Sequence, residues 1–528
     1  MKANDGIFPK ERKDRFVLLI ILFLGFILRL IEFFNLPIIQ RDSPLYLYQA
    51  MVLATGNLSL LDLCGLSSRI KEINLFSVAM VPFYYLFKDW EIAGKVVSLI
   101  SSSLSLVLLY LILRKFFEKP ILYLVLLVYG LNPTLIKESA EVMRESFFTV
   151  LVLLGVWLFI KGYQSWDKRR IFFFVLANLF WVLSSWVRVE GIFLIVLSFL
   201  YILGSLIFSQ DKKSSLANLF SFSVIPFILL LGIIWYVSFY KGFLLIELKG
   251  KVAWLNPFEQ PFAKALKNFR YLDIPMPSPY FWDILKQNLW LVAFGTTFFY
   301  KFIPALHFPN FLLFLAGFKN LKNFIKEKPL VVYFLVLFVG YFLGLWYFTF
   351  TKWYMEKRYM LPLLYFVSPI VALGIANVKN YLEQRFGLSS KKVGVLLIVY
   401  IVLFSSLKVF QPERVDKLWL KQVALDIAKV IPDEELKDCS EKACKNLVFT
   451  REGRILFYIA NHTGFILCPA IESKEIYVKL GKKPVDEVVN YITSKGYKVA
   501  VLEKEVFKDK TLILKQTLEA LGVKVYVL

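Results

Sequence analysis

Runs of apolar residues, each about 20 long, recur from residue 16 to about residue 410 and are separated by short polar turns. Each is long enough to cross the hydrocarbon core of a bilayer. The pattern predicts crossings over about 16–36, 92–113, 120–136, 145–160, 171–187, 189–208, 218–240, 330–350, 359–378 and 393–410. The apolar region 288–318 is interrupted by Pro304 and Pro309, so it reads as one kinked crossing or as a re-entrant piece plus a crossing. The charge pattern described below requires an odd total, and the region is counted once, for about 11 spans. Two connecting loops are long. The first, about 37–90, contains two apolar stretches, 44–54 and 73–87, too short to span. They are predicted to lie along the interface, anchored by Tyr46, Tyr48, Tyr84, Tyr85 and Trp90. The second, 241–287, is rich in proline and aromatic residues (Trp254, Pro257, Pro261, Pro275, Pro277, Pro279, Trp282).

From about residue 413 the pattern changes. Leu447–Thr450 and Ile455–Ala460 read as strands, Val485–Ser494 as a helix ending at Gly496, and Val499–Leu502 as a strand. Leu512–Leu521 reads as a helix ending at Gly522, followed by a strand over Val523–Leu528. Alternation of strands and helices predicts a small α/β domain. The expected organisation is a transmembrane domain over 1–412 and an extracytoplasmic α/β domain over 413–528.

Composition agrees. The 528 residues are 58% hydrophobic and 17% aromatic, with a mean hydropathy of +0.61. That is richer in apolar residues than a soluble domain, and the fold class is a polytopic α-helical membrane protein. The net charge of +23 would suggest nucleic acid in a soluble protein. Here its placement argues against that partner. Lys10, Arg12, Lys13 and Arg15 precede the first span, and no small-residue cleavage site follows it, which marks a retained signal-anchor helix. Further basic clusters occupy alternate short loops: Arg114, Lys115 and Lys119; Lys161, Lys168, Arg169 and Arg170; Lys212 and Lys213; Lys319, Lys322, Lys326 and Lys328; Lys379, Arg385, Lys391 and Lys392. The intervening loops mix both signs. The positive-inside rule then places the N-terminus in the cytoplasm of a cell (inner) membrane and the tail outside. The tail is nearly charge-balanced, with about 20 Lys and Arg against about 17 Asp and Glu. All four cysteines, Cys64, Cys439, Cys444 and Cys468, fall on the expected outer side. Cys439 and Cys444 can close a small disulfide loop there or remain free thiols. With only His307 and His462 in the chain, a His/Cys zinc cluster has no support. No Gly-rich phosphate fingerprint occurs, so no nucleotide site is expected.

Candidate chemistry collects in the expected outer loops. In Gln40-Arg41-Asp42-Ser43-Pro44, Ser43 reads as a helix N-cap and Pro44 as the first helical residue. Asp42 then sits just ahead of a helix N-terminus, where the dipole and Arg41 favour its charged form. An ionised carboxylate at the membrane face can take a proton from a hydroxyl; it can also simply cap a surface helix. In the next outer loop Glu138, Glu141 and Glu145 are spaced i, i+3, i+7, which in a helix shares one face, with Arg144 beside them. Arg188 and Glu190 have apolar sequence on both sides; an ionisable pair at such depth is costly and marks function, although Gly191 also suits a plain turn. Thr351-Lys352-Trp353-Tyr354-Met355-Glu356-Lys357-Arg358-Tyr359 joins two spans. Its three cations beside aromatics suit a lipid-borne phosphate, with Arg358 as a bidentate donor and Lys352 or Lys357 as point charges; an aromatic belt with snorkelling cations is the competing reading. Arg144, Arg188, Glu190, Lys352, Tyr354, Lys357 and Tyr359 are therefore expected substrate-binding residues. A carboxylate base with phosphate-binding cations is what glycosyl transfer from a lipid-phosphate sugar requires.

At these residues the chain resembles the GT-C superfamily of integral membrane glycosyltransferases, and is most similar to the family-39 branch of protein O-mannosyltransferases and lipid A aminoarabinose transferases. The resemblance rests on Asp42, Tyr46, Ala50 and Gly56; on the run Trp90 to Ser98; on Leu131-Asn132-Pro133 with Ser139 to Glu145; and on Lys357-Arg358-Tyr359-Met360-Leu361-Pro362. It implies a GT-C-like fold, a polyprenyl- or dolichyl-phosphate sugar donor, and inversion at the sugar carbon on the extracytoplasmic face. It makes Asp42 the general base, Glu141 and Glu145 second-loop site residues, and Arg358 a donor-phosphate contact. Many relatives carry a second acid directly after the first-loop Asp; Ser43 stands there in this chain, so no divalent metal is assigned. The acceptor hydroxyl is left open among protein, lipid and polysaccharide. A flippase of lipid-linked saccharides is the alternative activity, although no internal repeat is evident. A non-catalytic scaffold whose outer domain binds partners is the third reading.

Overall fold

A computed structural model describes residues 11–60, 73–208, 211–239, 287–409, 414–431, 443–468 and 474–528. Cys64, Cys439 and the residues singled out in the proline-rich loop, Trp254 to Trp282, lie outside the described residues. Each apolar segment read as a crossing is helical. Six stretches are long and apolar enough to cross a membrane: Arg12–Asn35, Trp90–Leu113, Arg144–Gln164, Arg169–Val187, Leu289–Leu306 and Val331–Lys352. Two bent pairs raise the number to eight among the described residues. The other expected crossings fall on the helices Gly191–Phe208, Lys212–Phe239 and Ser390–Val409.

The breaks have identifiable causes. Lys119–Gly130 and Pro133–Ala140 meet at 51°, and Lys357–Phe366 and Ser368–Phe386 at 62°. Pro133 opens the second half of the first pair, where proline disfavours a helical residue ahead of it, and Pro369 lies in the first turn of Ser368–Phe386, where its missing N–H is harmless. Polar groups freed at a break inside a membrane need partners. At the first break Asn132 Oδ1 accepts the Thr134 and Leu135 amides at 2.9 and 3.1 Å, while its Nδ2 donates to the Leu306 carbonyl at 3.1 Å. Arg29, fully buried in the first helix, donates to the terminal carbonyl of Gly130 at 3.1 Å and to Ser102 Oγ at 2.9 Å. Between Gly295 and Ile303 the helix widens to a π-helix over Thr296–Phe302, and His307, at φ 75°, separates it from Phe308–Gly317. Phe308–Gly317 lies backbone-close to Ser368–Phe386: a Cβ added at Gly374 would sit 1.8 Å from the Leu313 carbonyl oxygen, and one at Gly317 2.2 Å from that of Ile370. Small residues permit this approach, as is common between helices in lipid.

The chain divides into two compact units, neither continuous in sequence. The first comprises Met1–Glu32, Leu99–Ser139 and Glu145–Gln411; the second comprises Phe33–Ser98, Ala140–Arg144 and Pro412–Leu528. In the second unit the two short apolar stretches form the helices Ser43–Thr55 and Leu75–Phe87, as their lengths require. The first begins one residue earlier than expected: Asp42, not Ser43, is its N-cap, and Ser43 and Pro44 are both helical. In the tail, β1 (Ala443–Lys445) pairs in parallel with β3 (Ile466–Cys468), and β2 (Val448–Phe449), β4 (Val499–Leu502) and β5 (Lys524–Val527) form a parallel sheet in the order β2-β4-β5. Phe449, Tyr477, Val488, Ile492, Leu514 and Leu518 fill the core of that sheet and its helices. Gly496 and Gly522, at φ 78° and 80°, end the helices that they were expected to end. Ile455–Ala460 corrects the strand expectation: it lies within the helix Gly453–Thr463, capped by the Glu452 side chain on the Arg454 amide and closed by Gly464 at φ 77°. All six of its residues are buried. A short run apolar on every side does not distinguish a buried helix from a strand by period.

The close approach gives a test. Gly374→Ala is expected to destabilise the detergent-solubilised protein by about 1–3 kcal/mol or more, as overpacking against backbone does. At Gly204 an added Cβ meets nothing within 4 Å, so Gly204→Ala is expected to be neutral or stabilising by about 0.5–1 kcal/mol. Equal shifts in thermal unfolding temperature for the two variants would contradict the packing.

Candidate active site

Ionisable residues gather in two groups, one within each unit. In the first unit, Arg188 follows the last residue of Arg169–Val187; its N–H donates to the Ser184 carbonyl at 2.8 Å and its carbonyl accepts the Gly191 amide at 2.9 Å. The turn is tight enough that a Cβ at Gly191 would lie 2.3 Å from Ser184 Oγ, so the plain-turn role of Gly191 is fulfilled as well. Glu145 occupies the first turn of Arg144–Gln164, where the dipole favours an acid. Arg358 sits in the 3-10 turn Lys357–Met360 that opens the second bent pair.

These elements bring five expected residues together. Arg188 donates Nη1 to Glu145 Oε1 at 2.7 Å and Nη2 to Glu190 Oε1 at 2.6 Å. Arg358 Nε lies 3.7 Å from the same Glu145 oxygen and 3.9 Å from Glu356 Oε2. The guanidinium of Arg188 is 4.2 Å from the centre of the Tyr359 ring, and that of Arg358 is 5.7 Å from it. The side chains of Arg188, Glu145 and Arg358 are 6, 4 and 4% exposed. Burial works against the charge on Arg188, but Glu190 and Glu145 outweigh it and hold its pKa well above the ordinary arginine value. Glu145 Oε2 is buried and hydrogen-bonds to none of the described groups. Tyr354 donates its hydroxyl to Glu356, while Lys352 and Lys357 are exposed on the same segment. Glu356 took no part in the expectation; a carboxylate two residues from Arg358 reads in sequence as ordinary loop polarity.

In the second unit, Asp42 is exposed and makes no side-chain capping hydrogen bond, although it occupies the cap position. The Ser43 hydroxyl lies 3.6 Å from Met143 Sδ, and the Arg144 guanidinium 5.5 Å from the centre of the Tyr46 ring. Glu141 is 2% exposed and does not share a helical face with Glu138 and Glu145. The helix stops at Ala140 and restarts at Arg144, with the Met143 amide turned back onto the Glu141 carbonyl at 2.8 Å. The Glu141 carboxylate is taken by Arg414: Nη2 donates to Oε1, and Nη1 to Oε2 at 3.1 Å. Arg414 escaped the sequence reading, because nothing in the spacing around the last span points to it.

The helical spans and the α/β tail define a polytopic α-helical membrane fold. Among solved structures, the chain is similar to the archaeal oligosaccharyltransferase AglB from Archaeoglobus fulgidus in complex with an inhibitory peptide and a dolichol-phosphate, with a TM-score of 0.54 and 14% identity. The match covers 89% of this chain and 65% of that one, so the chain spans less than two thirds of the length of that structure. No family model and no curated protein matches the chain.

The shared oxygen of Glu145 makes a stability test. Glu145→Ala leaves two buried guanidinium groups short of a counter-charge and is expected to cost about 3–5 kcal/mol in unfolding experiments. Removal of the more exposed Lys379–Glu383 pair by Lys379→Ala is expected to cost under about 1 kcal/mol. Similar losses for the two would show that the cluster is not the buried network described.

Proposed function

We propose that the protein transfers a sugar from a polyprenyl- or dolichyl-phosphate donor to an acceptor hydroxyl, with inversion, on the extracytoplasmic face of the membrane. The observation that carries this reading is the placement of Asp42: an exposed carboxylate at the N-cap position of Ser43–Thr55. It takes the proton of the acceptor hydroxyl as the oxygen attacks the sugar carbon. The bond from that carbon to the phosphate oxygen breaks, and the leaving polyprenyl phosphate gains a negative charge. Arg358 and Arg188, with Lys352 and Lys357 on the exposed side, are the cations assigned to that charge. Tyr359 packs against the two guanidinium groups, Tyr354 holds Glu356, and Glu145 Oε2 accepts a hydroxyl of the bound donor. Glu190, Glu141 and Arg144 complete the assigned set through the contacts given above.

Three further observations support the reading. The structurally similar oligosaccharyltransferase holds a dolichol-phosphate and a peptide, which supports a lipid-linked donor and a protein acceptor. Cys444 and Cys468 are both disulfide-bonded, which supports an oxidising, extracytoplasmic location for the tail. The basic loops favour a cytoplasmic N-terminus in the cell membrane.

Asp42→Asn in the purified, full-length protein is expected to lower the rate of sugar transfer from a polyprenyl-phosphate sugar by roughly 100-fold or more. Wild-type transfer by that variant would remove Asp42 from the role of base. Robust flipping of a lipid-linked saccharide in liposomes without sugar transfer would replace the enzyme by a transporter.

A further inference from the structure

The stretch leading to Asp42 has no regular structure of its own. Residues 36–41 join the first helix to Ser43–Thr55 without helix or strand. Their backbone groups are held by side chains instead. Lys95 Nζ donates to the Leu36 carbonyl at 2.9 Å. Arg414 Nη1 donates to the Ile38 carbonyl at 3.1 Å. The Ile39 amide donates to the Tyr458 hydroxyl at 3.1 Å. Two of these three holders, Arg414 and Tyr458, belong to the tail, more than 370 residues away in sequence.

Arg414 does more than the others. The same guanidinium that holds Ile38 also grips both oxygens of Glu141, so one side chain joins the first outer loop, the second outer loop and the start of the tail. Its side chain is 19% exposed and that of Glu141 3%. A planar fork of donors suits this task and an ammonium does not. The backbone of Arg414 is in the left-handed region at φ 57°, a conformation that an arginine adopts only when its surroundings compensate. From there the chain enters the helix Leu418–Val430, where Lys421 donates to Glu91 at 3.0 Å; Glu91 in turn pairs at 2.8 Å with Lys95, the holder of Leu36. A linked set of charges thus runs from the tail to both ends of the segment 36–38.

We propose that Arg414 is a positioning residue: it couples the tail to the Ile38 backbone and to Glu141, and so sets where the Asp42 carboxylate stands. The inference rests on Asp42 acting as the base. It assigns the tail a part in the chemistry that needs no contact between tail and substrate, and it makes Glu141 a residue held by this protein's own arginine.

Hydrogen exchange on the full-length protein tests the coupling without any substrate. In Arg414→Ala, backbone amides within 36–46 are expected to exchange at least about tenfold faster than in the wild type, with smaller acceleration in Arg414→Lys, which retains one donor to Ile38. Arg451→Ala is the control, because it removes a tail ion pair with Glu503 in which each side chain is 18% exposed; exchange in 36–46 is expected to stay at the wild-type rate. In the transfer assay, Arg414→Ala is expected to lower kcat by about tenfold or more while the KM for the polyprenyl-phosphate sugar changes by less than about threefold. If Arg414→Ala does not fold, the Arg414→Lys comparison decides alone. Unchanged exchange in 36–46 for Arg414→Ala and Arg414→Lys, or equal acceleration by Arg451→Ala, overturns the positioning role. Accelerated exchange together with wild-type transfer by Asp42→Asn keeps the coupling and removes the base, so the two failures are distinguishable.

Discussion

A carboxylate shared by two arginines in a nearly dry site constrains the first unit more than any other contact. An ion stripped of water at low dielectric costs several kcal/mol unless counter-charges and hydrogen bonds replace the solvent. Glu145 faces Arg188 and Arg358 at 2.7 and 3.7 Å from one oxygen, and Glu190 and Glu356 add counter-charge to the two arginines at 2.6 and 3.9 Å. Three separate segments are therefore bound to one place: the start of Arg144–Gln164, the turn at Gly191, and the 3-10 turn at Arg358. Tyr359 lies against the Arg188 guanidinium and limits the directions it can take. Buried ion pairs that share one oxygen restrict how far each member can move.

The same accounting of polar groups explains the irregular helices. Where Lys119–Gly130 ends, Arg29 and Asn132 meet the backbone groups that the break would otherwise strand. In the second unit the segment ahead of Asp42 is irregular for its whole length, and Lys95, Arg414 and Tyr458 play the corresponding part. In both places a side chain distant in sequence replaces the missing helical partner. Irregular backbone is thereby fixed in position without a regular element to hold it.

Much of this was legible from hydrophobic period and charge. The long apolar helices, the two short helices Ser43–Thr55 and Leu75–Phe87 and most tail elements follow from run length, and the candidate residues stand out because charge beside apolar sequence is costly. The limits were physical. Ile455–Ala460 is buried on all sides, so its period is silent. Asp42 and Ser43 are both good capping residues, and backbone geometry alone chose between them. Glu138, Glu141 and Glu145 have helical spacing, but the helix ends at Ala140 and the Glu141 carboxylate pairs with Arg414, a residue 273 positions away. The meeting of Glu145 with Arg188 and Arg358 joins residues 43 and 213 positions apart, and local pattern carries no information at that range. Arg414 stands among Glu413, Asp416 and Lys417 after a span, and nothing in that mixed run singles it out.

In the proposed reaction the buried arginines serve a lipid-borne phosphate. Binding of polyprenyl phosphate and of the uncharged polyprenol to the full-length protein in nanodiscs measures this most directly, for the wild type and for Arg358→Ala. The phosphate is expected to bind the wild type at least about tenfold more tightly than the alcohol, and Arg358→Ala to remove most of that difference. Equal affinity for the two lipids, or a phosphate preference untouched by Arg358→Ala, would contradict it.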